Sequence, residues 1–336
     1  MTKVRRALVA TLIAIIICAG AIVGAAGLWF RNAVYAQHSN PQTLTRVIIP
    51  RGSTFADVTH ILADRGVIAN RLAFRLLARF RRVDAEVKAG EYRFPPRENE
   101  DKVLRELVTG GAQIAVWVTI PEGYTIREIA ATLAAHDISS ESALRQAFLD
   151  DSIAMAGARS KNLEGYLFPS TYLIPTAASA QMAGKILTDE FKKQLPSDAL
   201  AKSRQLKFSI PQVVTLASLI EREAKADDER PLMAGVYYNR LRIAMPLEVD
   251  ATIEYIFPQH KTEITKADLL IDSPYNTYKR AGLPPTPIAN PGRPSLWAAF
   301  HPQASGYLYY VYKGDGHHAF ARTLAEHNAN VARYLK

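Results

Sequence analysis

Two acids close a strongly apolar run. In Pro211 to Leu241, PQVVTLASLIEREAKADDERPLMAGVYYNRL, the residues Val214, Leu216, Ala217, Leu219 and Ile220 make a wide apolar helical face with no Gly or Pro between them. Glu221 follows that run directly and Glu223 stands two residues on. Positions i and i+2 point to different sides of a helix, so the two carboxyls occupy different environments. Glu221 lies one turn after Ala217 and one turn before Ala224 and Lys225. An acid framed by apolar side chains is poorly solvated when charged and keeps its proton toward neutral pH, the property of a general acid. The same position also reads as a helix-end glutamate in a surface ion pair with Arg222 or Lys225, and residue type alone leaves both readings open.

Other chemistries have less support. Cys18 is the single cysteine and lies inside an apolar N-terminal run, so the rest of the chain has no thiol for disulfides or thiolate metal sites. The eight histidines form no HExxH arrangement, and His317 and His318 point opposite ways on a strand, so no metal site is expected. The 336 residues suffice for two or three domains, with 48% apolar and 22% charged residues. A net charge of +9 permits contact with anionic polymers or lipid headgroups, but the basic residues are scattered, which argues against nucleic acid as a partner.

Ala7 to Phe30 contains no charged residue. At 1.5 Å per residue it is long enough for a hydrocarbon layer of about 30 Å. Lys3, Arg5 and Arg6 precede it, which places residues 1–6 in the cytoplasm and exports the chain beyond residue 30. A cleaved signal peptide is the rival; its apolar part is normally shorter, although Val34-Tyr35-Ala36 could be cut.

Residues 31–43 form a linker that includes the polar stretch QHSNPQT. A pattern then occurs twice. Val47 to Thr54 reads as a strand, a Pro50-Arg51-Gly52 turn and a helix start, followed by Phe55, Val58 and Leu62 at helical spacing. Val118 to Thr125 repeats it with Pro121-Glu122-Gly123, followed by Ile126, Ile129 and Leu133. These modules, within 44–160, resemble LysM-like units that dock on glycan chains. They serve either polysaccharide contact or the spacing of a catalytic domain from a membrane.

The catalytic domain is expected over 161–336. Its elements are helices at 178–194, 198–206 and 229–241, a proline-rich loop at 282–292, a hairpin of strands 307–312 and 317–322, and a final helix at 324–335. The fold class is therefore α+β: one transmembrane helix, small α/β modules and a mixed α/β catalytic domain.

Several segments in fixed order resemble the endolytic murein transglycosylase family, also called the YceG-like or MltG family. They are Glu164-Gly165-Tyr166-Leu167-Phe168-Pro169, Ala217 to Glu223, Tyr238-Asn239-Arg240-Leu241, Ser273-Pro274-Tyr275-Asn276-Thr277-Tyr278, Gly282-Leu283-Pro284-Pro285, Ile288 to Gly292 and Gly316 to Phe320. The resemblance implies a protein of the bacterial inner membrane that needs no cofactor, with its C-terminal part in the periplasm. Its substrate would be peptidoglycan glycan strands, cut between N-acetylmuramic acid and N-acetylglucosamine to leave 1,6-anhydro ends, near wall-synthesis enzymes. It places the catalytic acid at Glu221. Tyr166, Asn239, Tyr275 and Asn276 become candidates for holding sugar. Where many members look like Leu-Gln-x-Asp, this chain reads Leu247-Glu248-Val249-Asp250, so Glu248 and Asp250 either hold a sugar hydroxyl or act on a second acid. Two other functions stay open: a muramidase-type hydrolase using Glu221 with Asp250 or Glu248, and a wall-binding scaffold without catalysis.

Overall fold

A computed structural model of the chain describes residues 3–36, 44–50, 52–96, 98–111, 114–155, 158–176, 178–259, 261 and 263–335. The expected polar stretch Gln37 to Thr43 and Arg51 of the first turn lie outside the described residues. Backbone contacts divide the chain into two compact units, one of residues 1–116 and 175–178, the other of residues 117–174 and 179–336.

The first unit begins with helix α1 (Lys3–Tyr35), whose stretch Thr11–Tyr35 is long and apolar enough to cross a membrane. Leu12, Ile16, Val23 and Leu28 are exposed along it, as expected of a surface that lipid would cover. Its last turns pack on the same unit: Val34 is fully buried and the Phe30 ring meets the edge of Phe80. Then follow β1 (Thr45–Ile49), α2 (Phe55–Asp64), α3 (Arg71–Arg81), β2 (Gly90–Phe94) and α4 (Glu100–Thr109). Strands β1 and β2 pair antiparallel, with Thr45 opposite Phe94 and Ile49 opposite Gly90. Val47 and Tyr92 face a core closed by Leu62, Phe74, Leu104 and Leu107. Thr54 starts α2 by a reciprocal cap with Asp57, worth about 1 kcal/mol.

The second unit takes up the chain within β3 (Ala115–Thr119) and runs through α5 (Ile126–Ala135), α6 (Glu141–Asp150), the short pair β4 (Ala154–Met155) and β5 (Ala158–Arg159), and β6 (Thr171–Pro175). Strand β6 returns beside β3; the Ile120 amide donates to Ser170 O at 2.9 Å and the hydroxyls of Thr119 and Thr171 meet at 2.9 Å. Thr125 caps α5 with Glu128 as Thr54 caps α2 with Asp57. The two halves of the sequence repeat thus share one plan, strand, two helices and a returning strand. The second helix and the return strand of the second copy carry no echo of the first in the sequence.

Helices α7 (Ala180–Gln194) and α8 (Ala199–Leu206) lead to α9 (Ile210–Glu223). Beyond it come α10 (Arg230–Arg242), α11 (Asp250–Glu254), α12 (Arg293–Phe300), the hairpin β7 (Tyr309–Tyr312) and β8 (His318–Ala321), and α13 (Leu324–Tyr334). Helix α9 is the axis of this unit. Every residue from Val213 to Ile220 is buried, so the apolar face read from the sequence is the whole circumference. Each fully buried Leu, Ile or Val side chain contributes about 1.5–3 kcal/mol.

Candidate active site

Ser209 begins α9 with a reciprocal cap to Gln212, and Pro211 occupies the first turn, where its missing N–H costs nothing. Midway, Ser218 donates to Thr215 O at 2.7 Å and accepts the Ile288 amide at 3.1 Å, which ties the proline-rich loop to the helix. The helix ends at Glu223, so Glu221 stands in its last turn.

The Glu221 side chain is only 6% exposed, but its surroundings differ from the apolar frame that its neighbours in sequence imply. Oε2 accepts the Gly292 amide at 2.9 Å, and Oε1 lies 3.5 Å from Nη1 of Arg230. Arg230 opens α10, 9% exposed, and is aimed by Asp227 at 2.8 Å and by the hydroxyl of Ser295. Gly292 precedes α12, so the carboxyl also faces the positive end of that helix. Each of the three sets a donor or a positive charge against the carboxyl oxygens. Of the two ion-pair alternatives, Arg222 takes other partners: it reaches Glu254 at 2.7 Å and the Gly123 carbonyl at 3.3 Å.

A second acid comes from the turn of the repeat. Gly123 has φ +78°, a left-handed conformation that favours glycine, and its amide donates to Asn290 O at 3.0 Å. This turn brings Glu122 against Gly292: a methyl group built on Gly292 would lie 1.9 Å from Glu122 Oε1. Glu122 is exposed as a whole, but its carboxyl is partly shielded there. Lost solvation, followed by the charge of Glu221, pushes the Glu122 carboxyl up, against a smaller opposing pull from Arg230.

Asn290 and Glu164 hold this arrangement from behind. The fully buried Asn290 carboxamide donates to Tyr124 O and to Glu164 Oε1, both at 2.9 Å, and accepts the Leu167 amide at 2.8 Å. Glu164 accepts the Ile126 amide at the start of α5 and the Tyr255 hydroxyl at 3.0 Å. Burial outweighs these bonds and pushes its carboxyl up to about 8.

The remaining candidates sit elsewhere. Glu223 accepts the Tyr310 hydroxyl at 3.1 Å, away from the partners of Glu221, as the i, i+2 spacing requires; burial pushes its carboxyl up. Glu248 and Asp250 line the same cavity of about 570 Å³ as Glu223, not the surroundings of Glu221. There Glu248, with φ +54°, accepts from Arg240 at 2.9 Å, and Asp250 accepts the Tyr278 hydroxyl at 2.6 Å. Three of the sugar-holding candidates have their side chains engaged within the protein. Tyr166 is buried edge-on against Phe191. Asn276 is fully buried, and its amide is spent on the carbonyls of Leu269 and Ile271. Asn239 likewise fastens the carbonyls of Ser305 and Tyr307. The two amides are thus satisfied internally, whereas the buried Tyr166 hydroxyl has no hydrogen-bond partner among the described residues. Tyr275 is half-buried, its ring against Tyr255 and its hydroxyl 2.7 Å from that of Thr286.

The YceG-like family model matches residues 47–333. The chain belongs to the YceG-like family. Among its relatives, an endolytic murein transglycosylase of Bacillus subtilis is 33% identical over 94% of this chain and 91% of its own length. One of Streptococcus pneumoniae is 30% identical over 88% of this chain, which spans 59% of that longer relative. The crystal structure of a YceG-like protein of Listeria monocytogenes superposes with a TM-score of 0.57 at 31% identity, covering 86% of this chain and 99% of that one.

Two recesses of this YceG-like chain are lined by residues next to Glu221 or to its partners, not by Glu221 itself. One, of about 300 Å³, is lined by Asp227, Pro231, Arg293, Pro294 and Trp297. Asp227 aims the arginine that reaches Glu221, and Arg293 follows the glycine that donates to it. Trp297 is 51% exposed, with one face stacked on His301 at 4.6 Å. The other recess, of about 180 Å³, is lined by residues that include Arg222, Thr125 and Glu254. Sequence reasoning did not single out Glu122, Arg230, Gly292 or Trp297. The one signal available was the repeat itself, which sets an acid at the turn position where the other copy has Arg51.

Proposed function

We propose that the chain is an endolytic peptidoglycan lytic transglycosylase, with Glu221 as its acid and then its base. The observation that carries the reading is an almost buried carboxyl at the end of the central helix, whose partner Arg230 is held by a residue that lines an open recess, in a chain whose relatives are named endolytic murein transglycosylases. Water-using glycosidases need two separated carboxyls, one for the leaving oxygen and one for water or for attack on carbon. A transglycosylase takes its nucleophile from the substrate, and intramolecular attack replaces bound water. Protonated Glu221 gives its proton to the glycosidic oxygen as the bond to the muramic C1 breaks. The C6 hydroxyl of the same sugar then bonds to C1 and returns a proton to Glu221. The balance leaves an anhydro end, a new free hydroxyl and an unchanged enzyme.

Other parts of the chain take their roles from this reading. The exposed Trp297 face in the recess beside Asp227 suits a pyranose ring, and the second recess near Arg222 gives room for a strand to continue, as internal cutting requires. The two strand–helix–helix–strand repeats are read as LysM-like contacts for glycan. Helix α1 is read as a single-pass anchor in the bacterial inner membrane, with residues 1–6 cytoplasmic and the rest periplasmic, near wall-synthesis enzymes.

The test is Glu221→Gln in the full chain, assayed on uncrosslinked glycan strands. The rate should fall by roughly 10²–10⁴, the usual contribution of a general acid–base group, with the melting temperature retained. Release of anhydro-ended fragments at the wild-type rate contradicts the assignment.

A further inference from the structure

We propose that Glu122 is a positioning residue for Glu221: its carboxyl, standing where a side chain of Gly292 would be, sets a negative charge against the pull that Arg230 and the Gly292 amide exert on Glu221. This rests on the reading of Glu221 given above.

Gly292 is the point where the two acids meet. Its amide donates to Glu221 Oε2 at 2.9 Å, and the space where a side chain would stand is taken by the Glu122 carboxyl, with Oε1 1.9 Å and Cδ 2.3 Å from a built methyl. The turn that carries Glu122 is fixed to the end of α9. The Gly123 carbonyl accepts from Arg222 at 3.3 Å, its amide donates to Asn290 O, and a methyl built on Gly123 would lie 3.8 Å from Glu221 Cγ. Glu122 therefore reaches the site from a turn held in place, not from a free loop.

Charge counting around the pair gives the same picture. Arg230 faces both acids and is itself held by Asp227, whose charge also acts on Glu122. Arg222 beside them is neutralised by Glu254. Three carboxyls, those of Glu122, Glu221 and Asp227, thus stand around one guanidinium, and a like charge beside an acid opposes its ionisation. This answers a difficulty in the site. The Gly292 amide, Arg230 and the α12 N-terminus stabilise charged Glu221, whereas the first step of the reaction needs the acid. A neighbouring carboxylate opposes that pull. When Glu221 protonates the leaving oxygen, Arg230 and Gly292 stabilise the anion it leaves behind, and that anion then accepts the C6 hydroxyl proton.

The test is the pH dependence of kcat/KM for the full chain in detergent, on uncrosslinked glycan strands. The alkaline limb reports loss of the catalytic proton. Glu122→Gln removes the opposing charge, so that limb should move down by about one pH unit and the rate at pH 8 should fall about tenfold. Gly292→Ala is the second arm. Its φ of −74° suits alanine, the amide to Glu221 is kept, and the group displaced is the flexible end of Glu122. It should move the limb the same way, with products still anhydro-ended, and Glu122→Asp should lie between wild type and Glu122→Gln. A purely structural role for Glu122 would lower the rate at every pH and leave the limb in place. Superimposable profiles for wild type and Glu122→Gln, with Glu221→Gln inactive, overturn the proposal alone. Retained cleavage by Glu221→Gln overturns the reading beneath it, and the proposal with it.

Discussion

The two turns of the internal repeat share a left-handed glycine and differ in what surrounds it. Gly52 and Gly123 adopt φ of +76° and +78°, and each turn leads to a threonine that caps the next helix through an acid three residues on. A methyl built on Gly52 meets open space, whereas one built on Gly123 meets Glu221 and Arg222. The residue between proline and glycine is Arg51 in one copy and Glu122 in the other. The comparison teaches that the turn is a reusable fold device and that its chemistry lies in one side chain and what it is set against.

The largest effect expected from testing this contrast comes from making the second turn read like the first. Glu122→Arg sets a second cation beside Glu221 and Arg230, and cleavage should fall at least about a thousandfold with the melting temperature little changed. Near-wild-type activity would mean that the turn's side chain is irrelevant. Next is Asn290→Ala, which strips the second turn of its anchor. The Leu167 amide and the Tyr124 carbonyl lose buried partners, so the second unit should lose about 3 kcal/mol in denaturant unfolding.

A smaller effect compares the buried acids of the two units. Glu100 accepts the Asn70 amide at the start of α3, and Glu164 accepts the Ile126 amide at the start of α5. Burial raises both, to about 7 and about 8. A carboxyl raised in the folded state contributes its full stabilisation below its unfolded value near 4.5 and loses it as pH climbs through the folded value. Stability should therefore fall by up to about 1.4 kcal/mol for each pH unit between about 5 and 8 in the second unit, and Glu164→Gln should flatten that slope in thermal melts at several pH values. A slope unchanged by the substitution would assign it to other groups. The smallest effect is Gly52→Ala against Gly123→Ala. Each should cost roughly 1–2 kcal/mol through the left-handed backbone, and only Gly123→Ala should also lower the cleavage rate. Equal activity losses would erase the distinction between the turns.

What was legible in the sequence followed from local rules. The apolar period marked α9, the repeated Pro-x-Gly turn marked the starts of α2 and α5, and an aromatic-rich strand followed by the Lys313-Gly314-Asp315-Gly316 turn marked the hairpin β7–β8. Helix α12 was not read, because it is short, opens with Arg293-Pro294 just after a proline-rich loop, and has no capping side chain. That helix supplies the Gly292 amide, so half of the Glu221 environment went unseen with it. Arg230 approaches Glu221 across two turns, and Glu122 reaches Gly292 across most of the second unit; no local period records such meetings. Asn239, Asn276 and Tyr166 looked like sugar-binding groups because type and motif do not reveal whether an amide is spent on nearby carbonyls or a ring on the core. Glu248 and Asp250 do line a cavity, but one shared with Glu223.

The central claim is that the nucleophile belongs to the substrate. It is tested most directly by digesting uncrosslinked glycan strands with the full chain in water enriched in heavy oxygen and weighing the new ends. The account predicts anhydro-ended products with no label. Products heavier by one labelled water would contradict it and identify a hydrolase.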